Sequence, residues 1–112
     1  MSNSILNEIK KLLGIAEEYT HYDTDIIIHI NSVFSILEDF GVCKVSNYHI
    51  TGSDNLWDEV VEDKTVEFVK TYIYMRVKLI FDPPSTSFVI TSYENLIKEL
   101  EWRMTNKMKE VP

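Results

Sequence analysis

Apolar residues recur at helical spacing along most of this chain, and they predict four helices. The first covers residues 4–13, where Ser4 is in position to cap and Gly14 to supply a left-handed stop. The second begins at residue 24 or 25 with Asp23 as its expected N-cap, and it ends at Gly41. Its apolar positions alternate in steps of four and three, which is typical of a packing seam. They are Ile26, Ile30, Val33, Leu37 and Phe40.

The third and fourth helices are predicted at residues 64–81 and 86–106, with an extra turn at residues 57–61. Asp63 is the expected cap of the third, and Ser85 or Thr86 that of the fourth. One face of the fourth helix is apolar at about 100° per residue. Its members are Val89, Tyr93, Leu96, Ile97, Leu100 and Met104.

The third helix is apolar on almost every face, so it has to be buried on more than one side. In a domain this small one side can face the core, and we expect another subunit to cover the other. Trp102 lies away from the apolar face of the fourth helix, near the side that carries Phe88, and is a candidate contact residue. The alternative is a fourth helix packed on two sides within one chain.

Two connections differ in character. Pro83 disfavours helical geometry at Asp82, and Pro84 fixes φ before the next cap, so Phe81, Asp82, Pro83 and Pro84 predict a short, stiff corner. Residues 42–55 are rich in turn formers and are interpreted as a long irregular loop between the second and third helices, although a weak hairpin is conceivable there. The predicted fold is an all-α bundle of about four helices in a single domain, residues 1–112.

Composition removes several functions. The net charge of −7 argues against non-specific nucleic-acid binding, but it does not exclude a protein that surrounds DNA without gripping it, because an acidic wall repels the duplex and lets it slide. A single cysteine, Cys43, excludes an intrachain disulfide, and the chain begins without the pattern of a signal peptide. No cofactor or metal is predicted, because the three histidines lack ligand spacing with one another or with Cys43.

The remaining chemistry is an acidic cluster that ends at Asp63. Glu59 and Glu62 lie one turn apart and could bind magnesium in an all-helical nucleotide hydrolase. A solvated helix start is the simpler interpretation, since negative charge suits a helix N-terminus. Cys43 with His49 as a nucleophile and base has no third group to orient it.

Three stretches carry a resemblance to a known family. They are the run YIYMRVKLIFDPP at residues 72–84, Ser87-Phe88, and LEWR at residues 100–103, preceded by Glu99. Together they resemble the small head–tail connector (adaptor) proteins of tailed bacteriophages. The first helix from Leu6, the seam of the second helix and Trp57 fit the same pattern, so the resemblance covers most of the chain.

The resemblance implies a non-enzymatic structural protein of the virion, made in the bacterial cytoplasm. Such connectors form a ring, typically dodecameric, which binds the portal protein after DNA packaging, extends the DNA channel and offers a platform to the next completion protein or the tail. It implies bundle or ring contacts for the corner residues and for Arg76, Trp102 and Arg103. With Tyr74 and Phe88, the last three form the predicted subunit or portal interface, and residues 106–112 are a candidate portal-binding tail. The alternatives are the magnesium-dependent hydrolase and a small regulatory helical protein.

Overall fold

The computed structural model describes the backbone of residues 3–110 and the side chains of residues 3–106. It confirms an all-α bundle with four helices, and this described part contains no β-strand, only one isolated bridge between Ser4 and Leu56. The helices are α1 (Ile5–Leu12), α2 (Asp23–Phe40), α3 (Val66–Phe81) and α4 (Ser87–Glu110).

Helix α1 is bounded as the sequence predicts. The Ser4 hydroxyl accepts a hydrogen bond from the backbone N–H of Asn7 at 3.2 Å, which satisfies one of the free donors of the first turn. Gly14 follows the helix at φ 81°, a left-handed conformation that costs a glycine little. Ile5 and Ile9 are fully buried, whereas Leu12 is 44% exposed.

Helix α2 has the predicted buried face, but the predicted cap is wrong. Ile26, Ile30 and Leu37 are fully buried, and Gly41 ends the helix at φ 81°. Asp23 is the first helical residue rather than the N-cap, and Tyr22 at the cap position makes no side-chain capping bond. The Asp23 carboxylate instead forms an ion pair with Lys10 at 2.9 Å, because a buried ammonium attracts it more strongly than a backbone N–H does.

Helix α3 is the central element, and α1, α2 and α4 all pack against it. Tyr72, Ile73 and Val77 are fully buried although they point in different directions, which explains the apolar character of the helix on nearly all sides. The expectation that another subunit must cover the second side of this helix is therefore wrong: the other helices of the same chain cover it. Only at Ile80, near the C-terminal end, is a large apolar side chain of α3 more than half exposed.

The predicted start of α3 is also corrected. A 3₁₀ turn, Asp63–Thr65, precedes the helix, and Asp63 does not cap it. The Thr65 hydroxyl donates to the carbonyl oxygen of Glu62 at 2.9 Å, so the turn closes on itself before the α-helix begins at Val66.

The connection between α2 and α3 is irregular, as predicted, and a side chain of α2 holds it. The Asn31 amide donates to the carbonyl oxygen of Ile50 at 3.0 Å and accepts from the Ile50 N–H at 2.7 Å. The Asn31 side chain thus forms with the Ile50 backbone the same pair of hydrogen bonds that a neighbouring strand would form. Ile50 lies in the core and is 1% exposed. The predicted extra turn is present as a 3₁₀ turn, Trp57–Glu59, with Trp57 buried.

Helix α4 is packed along only part of its length. Its cap is confirmed, because the Thr86 hydroxyl accepts from the Val89 N–H at 3.3 Å. Ile97, Leu100 and Met104 are buried, as the predicted apolar face requires. Val89 and Leu96, which belong to the same predicted face nearer the start of the helix, are exposed. The predicted portal-binding tail, residues 106–112, lies outside the described side chains except for its first residue.

Candidate interaction surfaces

The corner between α3 and α4 is held by contacts on both of its sides. Asp82 leaves the helix at φ −149° and ψ 69°, and its carboxylate pairs with Lys78 one turn earlier at 2.9 Å. Pro83 is exposed and Pro84 is half-buried. Since neither proline can donate a backbone hydrogen bond, the helix ends here and the chain turns into α4.

Phe81 joins the corner to the start of α2 through a group of aromatic rings. Its ring meets that of Tyr22 edge-on, with centroids 5.2 Å apart, and that of His29 at 6.5 Å. Tyr22 also contacts the His21 ring at 4.7 Å and the Tyr19 ring at 5.9 Å. We call these five residues the corner aromatic cluster. Tyr19 is 50% exposed and Tyr22 is 39% exposed, so the cluster forms part of the surface.

A half-buried polar contact between α3 and α4 contains Arg76, one of the predicted interface residues. The Tyr72 hydroxyl donates to the Glu101 carboxylate at 2.7 Å, and the Arg76 guanidinium donates to the same carboxylate at 2.9 Å. The guanidinium also lies 5.6 Å from the centre of the Tyr72 ring, within cation–π range. The pKa of Tyr72 is raised above its ordinary value of 10, mainly by burial and to a smaller extent by the hydrogen bond to Glu101.

Tyr74, a second predicted interface residue, contacts α4 nearer the corner. Its hydroxyl lies 3.3 Å from that of Tyr93. This hydrogen bond and partial burial raise the pKa of Tyr74 to about 12. The structure therefore places both Tyr74 and Arg76 where they fasten α4 to α3.

The outer side of α4 carries the most exposed aromatic residues among those that the structure describes. Phe88 is 80% exposed and Trp102 is 65% exposed. Fourteen residues separate them, so at 100° and 1.5 Å per residue they lie about 40° apart around the helix and about 21 Å apart along it. Arg103 is next to Trp102, and its guanidinium pairs with the Glu99 carboxylate at 2.9 Å on the surface. We call the side that bears Phe88 and Trp102 the outer face of α4.

The acidic cluster is used in part to hold the long loop. Glu59 accepts hydrogen bonds from the Tyr48 hydroxyl at 2.8 Å and from the Leu56 N–H at 3.2 Å. These two bonds lower the pKa of Glu59. Within the described residues, no group of three or more histidine, cysteine, aspartate or glutamate side chains is placed to bind a metal ion. The structure thus gives Glu59 a structural role, and in the part of the chain that it describes Glu62 belongs to no metal-binding group of the kind that the hydrolase hypothesis needs.

Cys43 is half-buried, and its surroundings keep it a thiol. Burial and the nearby Glu38 carboxylate raise the pKa of Cys43 to about 11. His49 directs its Nδ1 to the carbonyl oxygen of Asn47 at 3.1 Å. A catalytic cysteine has to be a thiolate next to a base that is oriented towards it. Cys43 is held as a thiol, and His49 contacts Asn47, so the two residues do not form a nucleophile and base.

Sequence analysis missed two of these contacts for a shared reason. The local sequence pattern assigns no contact to Glu101 or to the tyrosines at positions 19 and 22. Each gains its role from a partner far along the chain, Tyr72 and Phe81 respectively. The aromatic residues themselves were the available signal, because several exposed rings in a short connector are unusual for a solvated loop.

These features define a class: a small helical protein with exposed aromatic surfaces. The comparisons agree with this class, since the family described as phage connector protein matches residues 5–111. The chain therefore belongs to the phage connector protein family and has a structural connector role in a bacteriophage. No curated protein and no solved structure matches it. None of the helices in the described part of the chain combines the length and the apolar character that a bilayer crossing requires.

Proposed function

We propose that this chain is a ring-forming head–tail connector that binds the portal protein after DNA packaging. In this role it extends the DNA channel and offers a platform to the next completion protein or to the tail. Membership in the connector family supports the general role. The proposal adds two parts to this role: a ring, which we expect to be dodecameric on the virion, and its contact with the portal protein.

The observation that carries the proposal is the exposure of Phe88 and Trp102 on the outer face of α4. These rings lie on the side opposite the buried Ile97 and Leu100, so folding of the single chain leaves them uncovered. Large aromatic side chains dominate the binding energy of protein interfaces, and water-exposed ones are costly for an isolated subunit. A neighbouring protein that covers this face would remove them from water.

The other predicted interface residues have distinct parts in this proposal. Arg103 lies beside Trp102 and would border the contact. Tyr74 and Arg76 bind α4 to α3, so we assign them to positioning the outer face. The corner from Phe81 to Pro84 sets where α4 leaves α3. A net charge of −7 supports a channel wall that repels DNA phosphates and lets the duplex pass.

The test is Trp102→Ala in the full chain, assayed for ring formation alone and on isolated portal rings by native mass spectrometry and electron microscopy. We expect the affinity of assembly to fall by about thirtyfold or more, because a central aromatic anchor contributes about 2 kcal/mol or more to binding. The free energy of unfolding should change by no more than about 0.5 kcal/mol, because the indole side chain of Trp102 is largely exposed in the single chain.

Leu100→Ala is the matched control on the buried side of the same helix. It should lower the free energy of unfolding by about 2–4 kcal/mol through loss of buried volume, with the folded fraction still able to assemble. If Trp102→Ala destabilises the fold while its folded fraction assembles normally, Trp102 belongs to the core and the proposed interface is wrong.

A further inference from the structure

We propose that the corner aromatic cluster of one subunit receives the Trp102 region of α4 from the next copy of this chain. This inference rests on the proposed ring and names the surfaces that build it. A closed ring of identical subunits needs a heterologous contact, in which two different surfaces of each subunit meet. The structure offers two exposed aromatic surfaces that differ in position and in charge.

The corner aromatic cluster has an acidic border. Glu18 lies in the connector between Tyr19 and the end of α1, and Asp25 lies in the first turn of α2. Both side chains are exposed, and neither takes part in an ion pair or side-chain hydrogen bond of the described residues. The neighbouring carboxylates, by contrast, are occupied, because Asp23 pairs with Lys10 and Asp82 with Lys78. The cluster thus joins half-exposed aromatic rings to two unpaired negative charges.

The Trp102 region has the opposite charge. Lys98 lies one turn before Trp102, is exposed, and forms no ion pair within the described chain. Arg103 follows Trp102 and is already paired with the Glu99 carboxylate, so Lys98 carries the unpaired positive charge of this region. A lysine beside an indole complements aromatic rings bordered by carboxylates, through ion pairs and through cation–π contacts with the tyrosines.

The two surfaces lie at opposite ends of the subunit. Phe81 is the last residue of α3, so the cluster lies at the corner end. Helix α4 then runs back along α3, since Tyr93 meets Tyr74 and Glu101 meets Tyr72. Trp102 is fifteen residues beyond Ser87, about 22 Å along α4 at 1.5 Å per residue. The surfaces of one subunit therefore cannot cover each other, and their contact between copies is head-to-tail.

The test places single cysteines on the borders of the two surfaces and keeps all aromatic residues. In a Cys43→Ser background, one full-length variant carries Asn95→Cys, two turns before Trp102, and a second carries Thr20→Cys, beside Tyr19. Both positions are exposed, and the charges that argue for the contact are unchanged. The variants are mixed, assembled alone or on portal rings, and treated with a short bifunctional maleimide. We expect a covalent dimer that contains one copy of each variant. The matched control replaces Thr20→Cys by Val45→Cys, an exposed position in the loop beyond the other end of α2.

The outcomes separate this inference from the function on which it rests. A mixed dimer of the Asn95→Cys and Thr20→Cys variants, and little of the Asn95→Cys and Val45→Cys variants, supports the head-to-tail contact. If rings form but these two mixtures cross-link equally, or not at all, the contact is overturned and the proposed function stands. A dominant cross-link between two Asn95→Cys copies overturns it as well, because it reports a symmetric α4–α4 contact. Failure of the Cys43→Ser parent and the unmodified chain to form any ring, even on portal, overturns the proposed function and this inference together.

Discussion

Lys10 illustrates how a single residue departs from its usual place. Lysine is rarely fully buried, yet Lys10 is 1% exposed on the inner side of α1. Its ammonium donates to the carbonyl oxygens of Glu17 and Tyr19 at 2.9 and 2.8 Å and pairs with the Asp23 carboxylate at 2.9 Å. Three acceptors match the three donors of the ammonium group. Lys10 therefore fixes the connector between α1 and α2, which carries part of the corner aromatic cluster.

Lys10→Met should lower the free energy of unfolding by about 3 kcal/mol, measured by urea denaturation. The substitution keeps the aliphatic volume but leaves two carbonyl oxygens and a carboxylate without their donor, and breaking a buried pair is strongly unfavourable. Breaking a buried pair costs about 3–5 kcal/mol. We expect a loss at the low end of this range because Asp23 keeps some access to water.

Lys11→Met is the control for Lys10→Met, because its side chain is exposed one position further along the same helix. It should change stability by less than about 0.5 kcal/mol. Equal stability of the two variants would show that the three contacts of Lys10 contribute nothing net, and would remove the argument that it fixes the connector.

At the scale of elements, some helix ends follow local chemistry, whereas the start of α2 and the helix faces depend on tertiary contacts. Gly14, Gly41 and Thr86 occupy the end positions that their residue types predict. The faces of α3 and α4 depend on what packs against them. Helix α3 is enclosed by three helices, whereas the first half of α4 extends along the surface with Phe88 exposed. Amphipathic spacing marks which residues can be buried, and the neighbouring helices decide which are.

Gly41→Ala should lower the free energy of unfolding by about 1 kcal/mol, measured by chemical denaturation. Gly41 closes α2 at φ 81°, where an added Cβ meets no atom within 4 Å. The cost is therefore conformational, since an alanine in the left-handed region is unfavourable by about 1 kcal/mol.

Gly52→Ala tests the explanation for Gly41, because its added Cβ is equally free of contacts but its φ is not in the left-handed region. It should be neutral or stabilising, since alanine restricts the unfolded chain. A loss at Gly52 as large as that at Gly41 would contradict the conformational explanation.

At the scale of the whole molecule, buried and half-buried tyrosines connect different parts of the fold. Tyr72 and Tyr74 join α3 to α4, and Tyr48 joins the long loop to the turn at Glu59. Burial and a hydrogen bond to a carboxylate raise the pKa of Tyr48, as they do that of Tyr72. The neutral phenol is thus the form that the folded protein favours at each position.

Stability should consequently fall as the pH rises above about 10, where unfolded tyrosines ionise. The unfolded chain then binds fewer protons than the folded one, so the free energy of unfolding decreases with pH, up to about pH 12 in the case of Tyr74. Urea denaturation at a series of alkaline pH values measures the slope. Tyr72→Phe should make the slope shallower.

Thr71→Ala is the comparison for Tyr72→Phe, because it changes an exposed neighbouring residue that does not titrate. Its stability should show the same alkaline slope as the unmodified protein. A Tyr72→Phe variant whose slope equals that of Thr71→Ala would contradict the role given to the Tyr72 phenol.

The amino-acid sequence by itself determined the four helices, the glycine stops after α1 and α2, the Thr86 cap of α4, the Asp82–Pro84 corner and the resemblance to phage connectors. Each of these depends on contacts within a few residues or on a local run of residue types, which the sequence displays directly. Only the tertiary structure decided that α3 is enclosed within its own chain, that Lys10 is buried, and that Phe81 completes an aromatic cluster with Tyr22. These features depend on partners brought together by packing, because burial is set by neighbouring elements rather than by the spacing of apolar residues along one helix.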